Sequence, residues 1–175
     1  YHEGTTFLRD LLETGPGLQE VGVPAYPDGH PLIDDVILHQ ALVAKQDLLA
    51  SAGVAGHATT QMCFDPQRIA DWLGQARQAG VTLPVHVGVA GPTSLTKLLR
   101  FAMQCGVSAS LNAAAKNVKG VTNVLATSPE VMIPALVRLG AGGEPARIVQ
   151  PHFFTFGGAV ATAKWMRAVS EGAFN

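Results

Sequence analysis

Apolar residues recur along the chain in two alternating patterns, one typical of buried strands and one typical of amphipathic helices. Short apolar runs bounded by glycine or proline predict four strands, over residues 18–23, 56–64, 81–89 and 147–156. Apolar residues three and four positions apart predict helices over residues 6–14, 31–51, 66–79, 93–104 and 128–139, and a last one after residue 157. Residues 107–126, rich in Ala, Asn and Lys, predict one or two further short helices.

Strands that alternate with helices predict a parallel sheet with right-handed crossovers. An open doubly wound sheet is complete with about this many strands, whereas a closed (β/α)8 barrel needs about 8 such units. The polar and aromatic residues cluster after the strands, at what is the active face of a barrel. We therefore expect an α/β fold: a (β/α)8 TIM barrel in the parent protein, with residues 1–175 as one domain supplying about the last four βα units. Because the chain begins at Tyr1 rather than Met, we expect truncation at the N-terminus.

Composition narrows the possible functions. Hydrophobic residues make up 47% of the chain and charged residues 14%, which suits a sheet covered on both faces. The net charge is −1 and the basic residues are scattered, which argues against nucleic-acid binding. Cys63 and Cys105 stand in apolar surroundings without partners at metal or redox spacing, as reduced thiols of a cytoplasmic protein do. No apolar run approaches the roughly 20 residues of a membrane span, so we expect neither a metal nor a membrane partner.

The residues after the strands offer mostly neutral hydrogen bonding and aromatic contact, which suits a large planar ligand better than hydrolysis. Each candidate also has a structural interpretation: Tyr26 as a packing residue, His30 as a partner of a backbone carbonyl, and Phe101 as core. Gln61 is a stronger candidate for a binding residue, because a buried amide must find hydrogen-bond partners. His86 and His152 alternate with apolar neighbours and are interpreted as core histidines rather than metal ligands.

Four motifs, taken in order, resemble the second half of methylenetetrahydrofolate reductase. They are V-P-A-Y-P-D-G-H-P at 23–31, T-Q-M-C-F-D at 60–65, V-H-V-G-V at 85–89 with R-F-A at 100–102, and H-F-F-T-F at 152–156. The resemblance spans nearly the whole chain, and the first two motifs together are quite specific. The last two alone would be weak.

The resemblance implies a flavoprotein of one-carbon metabolism and methionine biosynthesis. Such a TIM barrel holds FAD at its C-terminal face and passes a hydride from NADH or NADPH to 5,10-methylenetetrahydrofolate, giving 5-methyltetrahydrofolate. The A-Y-P-x-x-H segment of the family contacts the flavin, and it matches Ala25, Tyr26 and His30. The family glutamine that hydrogen-bonds the pterin matches Gln61, and the phenylalanine that packs against the folate matches Phe101.

The chain also departs from the family pattern. Toward the flavin diphosphate, the helix after the first loop offers mainly Lys45 and Gln46, with leucine at the other matching places. The last strand lacks the arginine that reaches the folate in many members. The family's general-acid glutamate lies on earlier strands, so the catalytic residue is expected outside this sequence.

Two alternatives to a complete reductase therefore stay open. One is a non-catalytic folate- or flavin-binding half-barrel that needs a partner chain, and the other is a barrel that uses folate as a methyl donor. Half a barrel would expose two sheet edges, which invite pairing. We therefore expect a homo-oligomer or another partner chain, with a small-molecule folate as the substrate.

Overall fold

A computed structural model describes residues 3–15, 17–104, 129–141 and 148–172 of the chain. The strands are β1 (Glu20–Ala25), β2 (Ala55–Met62), β3 (Val85–Ala90) and β4 (Ile148–Phe154). The helices of this part are α1 (Gly4–Thr14), α2 (Asp35–Ser51), α3 (Pro66–Gln78), α4 (Leu95–Gln104), α5 (Pro129–Ala141) and α6 (Ala159–Ser170). The predicted short helices of residues 107–126 lie outside the described residues, as does Cys105.

The strands form one parallel sheet in the order β1-β2-β3-β4, so spatial order follows chain order. This confirms the predicted α/β fold with a parallel sheet, and it is consistent with part of a TIM-type barrel. Parallel neighbours of this kind need a crossover connection, which α2 and α3 provide. The carboxyl ends of all four strands consequently meet at one edge of the sheet.

The two faces of the sheet have different chemistry, because successive strand residues point to opposite sides. One face is apolar and packs with the helices into a core that includes Val23, Ala58, Val85, Val87, Leu42, Leu49, Ile69, Trp72 and Leu73. The other face, called the polar face below, carries Glu20, His57 and His86, which contact one another. Glu20, Gly22 and Pro24 on this face are exposed in β1.

The start of α2 differs from the prediction. The helix begins at Asp35 rather than at residue 31, because a tight loop precedes it: the Gly29 amide donates to the Tyr26 carbonyl at 2.9 Å, and a bridge joins His30 to Ile33. Leu32 and Val36 belong to the apolar spacing that predicted a helix over residues 31–51, but they are 88% and 67% exposed. Both residues have helical spacing, but one lies in the loop and the other in the first helical turn, and neither position faces the core.

No helix among the described residues combines the length and the apolar character that crossing a bilayer requires.

The start of α3 follows the prediction. Asp65 is the N-cap and accepts a hydrogen bond from the Gln67 amide at 2.9 Å, with Pro66 at the first helical position. Asp34 occupies the same position before α2, but its side chain makes no capping hydrogen bond.

We expect Asp65→Ala to lower the free energy of unfolding by about 1 kcal/mol, because an amide of the first turn loses its acceptor. Urea unfolding followed by circular dichroism measures the change. Asp34→Ala is the matched control, since it removes an N-cap aspartate that makes no such bond, and its effect should be less than half as large. Equal losses in the two variants would contradict the assigned role of Asp65.

Candidate functional site

The carboxyl edge of the sheet brings together residues that are far apart in the sequence. Ala25 ends β1, Gln61 lies one residue before the end of β2, and Phe154 ends β4. Tyr26 and His30 follow β1, and Phe101 lies on α4, the helix after β3. This edge is where ligands bind in parallel α/β folds, and we call it the carboxyl-edge site.

The loop after β1 holds Tyr26 and His30 against each other. Their rings meet edge to face with centroids 5.5 Å apart, and both side chains are half-buried. Gly29 has a φ of +78°, which lets the loop turn back between the two rings. The Leu32 amide donates to His30 Nδ1 at 3.2 Å, so a neutral imidazole carries its hydrogen on Nε2. His30 thus accepts from a backbone amide, rather than donating to a carbonyl, and keeps an Nε2–H donor.

A cavity of about 300 Å³ opens beside this loop. Its lining residues include the acidic Asp28, Asp34 and Asp35, together with His30, and Asp34 and Asp35 are exposed. Carboxylates repel phosphate, so this cavity is unsuited to the diphosphate of a dinucleotide.

Gln61 has an unused hydrogen-bond donor. Its side chain is half-buried, and its Nε2 atom is buried without a hydrogen-bond partner among the described residues. A buried amide nitrogen without an acceptor carries a desolvation cost, so this atom indicates a ligand that presents an acceptor. The prediction that a buried Gln61 needs a partner is therefore sharpened to one atom.

Aromatic rings cluster beside Gln61. Phe101 contacts Phe156 with centroids 4.7 Å apart, Phe156 lies 6.4 Å from Phe154, and the Phe154 ring meets His152 edge to face at 4.9 Å. Phe101 is thus brought to the carboxyl edge, half-buried rather than in the core. Phe156 was not singled out from the sequence, and its φ of +48° is rare for a bulky residue. The sequence signal for it was the aromatic run that ends at Gly157 and Gly158.

Gly88 joins Gln61 to these rings. A side chain at this position would place its Cβ 2.5 Å from the Gln61 carbonyl oxygen and 2.7 Å from Phe154 Cε2. Only glycine therefore lets β2, β3 and the Phe154 ring approach so closely.

Lys45 lies on the helix side of the first loop. It lines a small cavity of about 30 Å³ with Ala25 and Tyr26, which is room for about one water molecule. Burial lowers the pKa of Lys45, and the nearby Glu3 carboxylate opposes that shift. The structure thus groups Lys45 with Ala25 and Tyr26, while its role toward a diphosphate stays a prediction.

The other matching positions of α2 serve the fold. Gln46 Oε1 accepts from the Thr82 and Leu83 amides at 2.7 and 3.2 Å, and its Nε2 donates to the Gly80 carbonyl. Leu42 and Leu49 are buried in the core. These side chains are committed to packing, so they are not placed to bind a ligand.

A row of ionisable side chains crosses the polar face below the carboxyl edge. His57 Nδ1 lies 2.7 Å from Glu20 Oε1, and the His57 ring stacks on His86 with centroids 3.9 Å apart. Gly22 makes room for the stack, because a Cβ there would lie 2.7 Å from His57 Nε2. His152 is exposed, and His86 is half-buried in this row, so the prediction of two core histidines is wrong. The described residues contain no group of three or more side chains able to hold a metal ion.

Glu20 and His57 were missed from the sequence because their pairing depends on the register of β1 against β2. The pairing places Gly22 opposite His57, with Glu20 two residues earlier on the same face. The available sequence signal was that each is an ionisable residue within a predicted strand, Glu20 in the first and His57 in the second.

The family model described as methylenetetrahydrofolate reductase matches residues 7–162 of the chain. The matched range includes Tyr26 and His30 of the loop after β1, and also Gln61 and Phe101 of the carboxyl-edge site.

The ionisable row predicts a loss of stability in acid. The pKa of His86 is lowered, first by burial and then by His57, with a smaller contribution from His152, while Glu20 opposes the shift. When the pKa of a base is lower in the folded state than in the unfolded state, protonation of that base favours unfolding. Its contribution is present above the unfolded pKa of about 6.5 and is lost as pH falls through the lower folded value.

We therefore expect the urea concentration at the unfolding midpoint to decrease as the pH is lowered from 7.5 to 5. The decrease should be smaller in His86→Asn. Glu20→Gln should enlarge the fall, because it removes the charge that favours a protonated His86. An acid-induced fall that is unchanged in His86→Asn would show that other groups cause it.

Proposed function

The chain belongs to the methylenetetrahydrofolate reductase family, a family of generally flavin-dependent reductases, and on that premise we propose that it reduces 5,10-methylenetetrahydrofolate to 5-methyltetrahydrofolate. We propose FAD as its cofactor and NADH or NADPH as the reductant. The chain would supply the second half of a (β/α)8 barrel, with the general acid on the first half. Oligomeric assembly and a cytoplasmic location are part of the same proposal.

The observation that carries this proposal is the buried Nε2 atom of Gln61, a residue whose backbone adjoins a cluster of aromatic rings. Among the described residues Gln61 Nε2 is buried without an acceptor, and the Phe154 ring lies next to the Gln61 backbone carbonyl across Gly88. A pterin has acceptors along its edge and two flat faces, so it can satisfy Nε2 while its faces contact phenylalanine rings. A small aliphatic substrate that carries an acceptor would satisfy Nε2 but would offer the phenylalanine rings no flat surface to contact.

The loop after β1 fits a flavin ring. Tyr26 and His30 present a half-buried aromatic surface at the carboxyl edge, and His30 keeps an Nε2–H donor for an acceptor on the flavin edge. Tyr26 and His30 would hold the flavin ring of FAD there, and that ring would supply the hydride-transfer chemistry between nicotinamide and folate. The acidic cavity beside His30 favours the ring system, rather than the diphosphate, at this loop. Lys45 is the cation that we propose for the diphosphate.

The residues of this chain act by orientation. Gln61 fixes the edge of the pterin by a hydrogen bond, and Phe101, supported by Phe156, limits its tilt by ring contact. Tyr26 and His30 fix the other reacting ring. Holding two rings face to face at the correct separation can supply much of the rate acceleration of a transfer reaction.

We expect Gln61→Leu to weaken folate binding about tenfold while FAD binding is retained, because the variant removes one hydrogen bond at the pterin edge. Isothermal titration with 5-methyltetrahydrofolate measures the affinity. Gln75→Leu, which changes an exposed glutamine of α3, is the matched control and should bind folate normally. An unchanged affinity in Gln61→Leu would contradict the assigned role of Gln61.

We expect Tyr26→Ala and His30→Ala to lower FAD affinity about tenfold each, because each loses ring contact or a donor. Titration followed by the visible absorption of the flavin measures the affinity. Tyr26→Phe keeps the ring and should bind FAD nearly as well as the unaltered protein.

If the unaltered protein acquires no flavin spectrum when FAD is added, the reductase proposal fails for this chain alone. The result would favour a folate-binding half-barrel that needs a partner chain. Methyl transfer from a folate without oxidation of NADH would favour the methyl-donor alternative.

A further inference from the structure

We propose that the Thr60 hydroxyl, assisted by the Cys63 thiol, is the positioning device that aims the Gln61 amide at the pterin. The inference rests on the proposed role of Gln61 in folate binding. It assigns a function to two buried side chains that do not themselves lie at the ligand surface.

The device lies where the pairing of β2 with β3 changes register. Thr59 pairs with His86 and Met62 pairs with Gly88, so three steps along β2 correspond to two along β3. The extra residue makes a bulge, which interrupts the regular ladder of backbone hydrogen bonds. Gln61 lies inside this bulge.

Thr60 repairs the interrupted ladder with its side chain. The Gly88 amide donates to Thr60 Oγ1 at 2.8 Å, and Thr60 Oγ1 in turn donates to the Gln61 carbonyl oxygen at 2.8 Å. Thr60 is 1% exposed, so water cannot replace the hydroxyl. One hydroxyl therefore links β3 to the backbone of Gln61.

Cys63 holds the same carbonyl from the other side of the bulge. Its Sγ donates to the Gln61 carbonyl oxygen at 3.1 Å, and its amide donates to the Gly88 carbonyl at 3.0 Å. Burial is the main cause that raises the pKa of the Cys63 thiol, with the Asp28 carboxylate adding to it. The thiol therefore stays protonated and remains a donor at neutral pH.

Both donors fix the backbone of Gln61, while its Nε2 atom bonds to none of the residues that the structure describes. The backbone that carries the amide is thus fixed before a ligand arrives, so binding need not order that part of β2. Gly88 completes the device, because a Cβ would lie 2.5 Å from the Gln61 carbonyl oxygen and 2.6 Å from that of Thr60.

The test uses Thr60→Val and Thr60→Ser in the purified protein, with 5-methyltetrahydrofolate as the titrated ligand. Valine keeps the shape but lacks the hydroxyl, and we expect it to weaken folate binding about five- to tenfold. Serine keeps the hydroxyl and should restore most of the affinity. If serine loses as much affinity as valine, the methyl group matters rather than the hydroxyl, and the inference falls. Where Thr60→Val does not fold, a five- to tenfold loss of affinity in Thr60→Ser would overturn the inference.

A double-mutant cycle separates positioning from general stability. Thr60→Val should lower the thermal unfolding midpoint equally with Gln61 and with Gln61→Leu. In the Gln61→Leu background it should cause no further loss of folate affinity, because no amide remains to be positioned. A full additional loss there would overturn the inference. Thr162→Val removes another buried hydroxyl, which donates to the carbonyl of Gly158, the N-cap of α6, and should leave folate affinity unchanged.

The outcomes distinguish this inference from the proposed function. If Gln61→Leu leaves folate affinity unchanged, the role of Gln61 fails, and positioning fails with it. If Gln61→Leu weakens binding but Thr60→Val does not, only the positioning inference fails.

Discussion

The close approach of β2 to β3 at Gly88 is the constraint on which the carboxyl-edge site depends. A bulge in β2 breaks the regular backbone ladder there, and buried amides and carbonyls still need partners. Thr60 Oγ1 and Cys63 Sγ meet that need, and the absence of a side chain at Gly88 lets the strands come near enough. The Phe154 ring occupies the space that a Cβ would take, so the same constraint sets the aromatic cluster beside Gln61.

The parallel sheet divides its work between its two faces. The helix side is filled by aliphatic residues and Trp72, which fix the strands relative to one another. The polar face carries Glu20, His57 and His86 lower down, and the carboxyl edge carries neutral donors and aromatic rings. Stability therefore depends mainly on one side, while the other side is free to carry polar groups that a core would not tolerate.

The sequence predicted the elements better than it predicted their contacts. Strand and helix order follows from apolar period and from local signals such as Asp65 before Pro66, which act within a few residues. The start of α2 was missed, because Leu32 and Val36 have helical spacing but follow a loop closed by Gly29 and His30.

The site was predictable only in part, because local sequence signals do not show which residues meet across neighbouring strands. Tyr26, His30 and Gln61 stood out by residue type and by their place after strands. The Glu20–His57 pair, the His57–His86 stack and the Thr60 bridge depend on cross-strand register. A threonine in a strand has an ordinary sequence signature, so its hydroxyl bridge could not be inferred before the bulge was known.

The residues proposed for the pterin, Gln61 and Phe101, are neutral, and this has a further consequence for the proposed chemistry. Since the cofactor supplies the hydride, the protein needs no strong charge at the reacting carbon, but it must hold two rings within a narrow range of separation. Long, flexible charged side chains would do this poorly, because each must lose conformational entropy on binding. A neutral amide whose nitrogen is already buried and whose backbone is held by two hydrogen bonds, and phenylalanine rings that support one another, lose less. The rigidity of the β2 bulge is therefore as much a part of the site as the side chains that would touch the ligand.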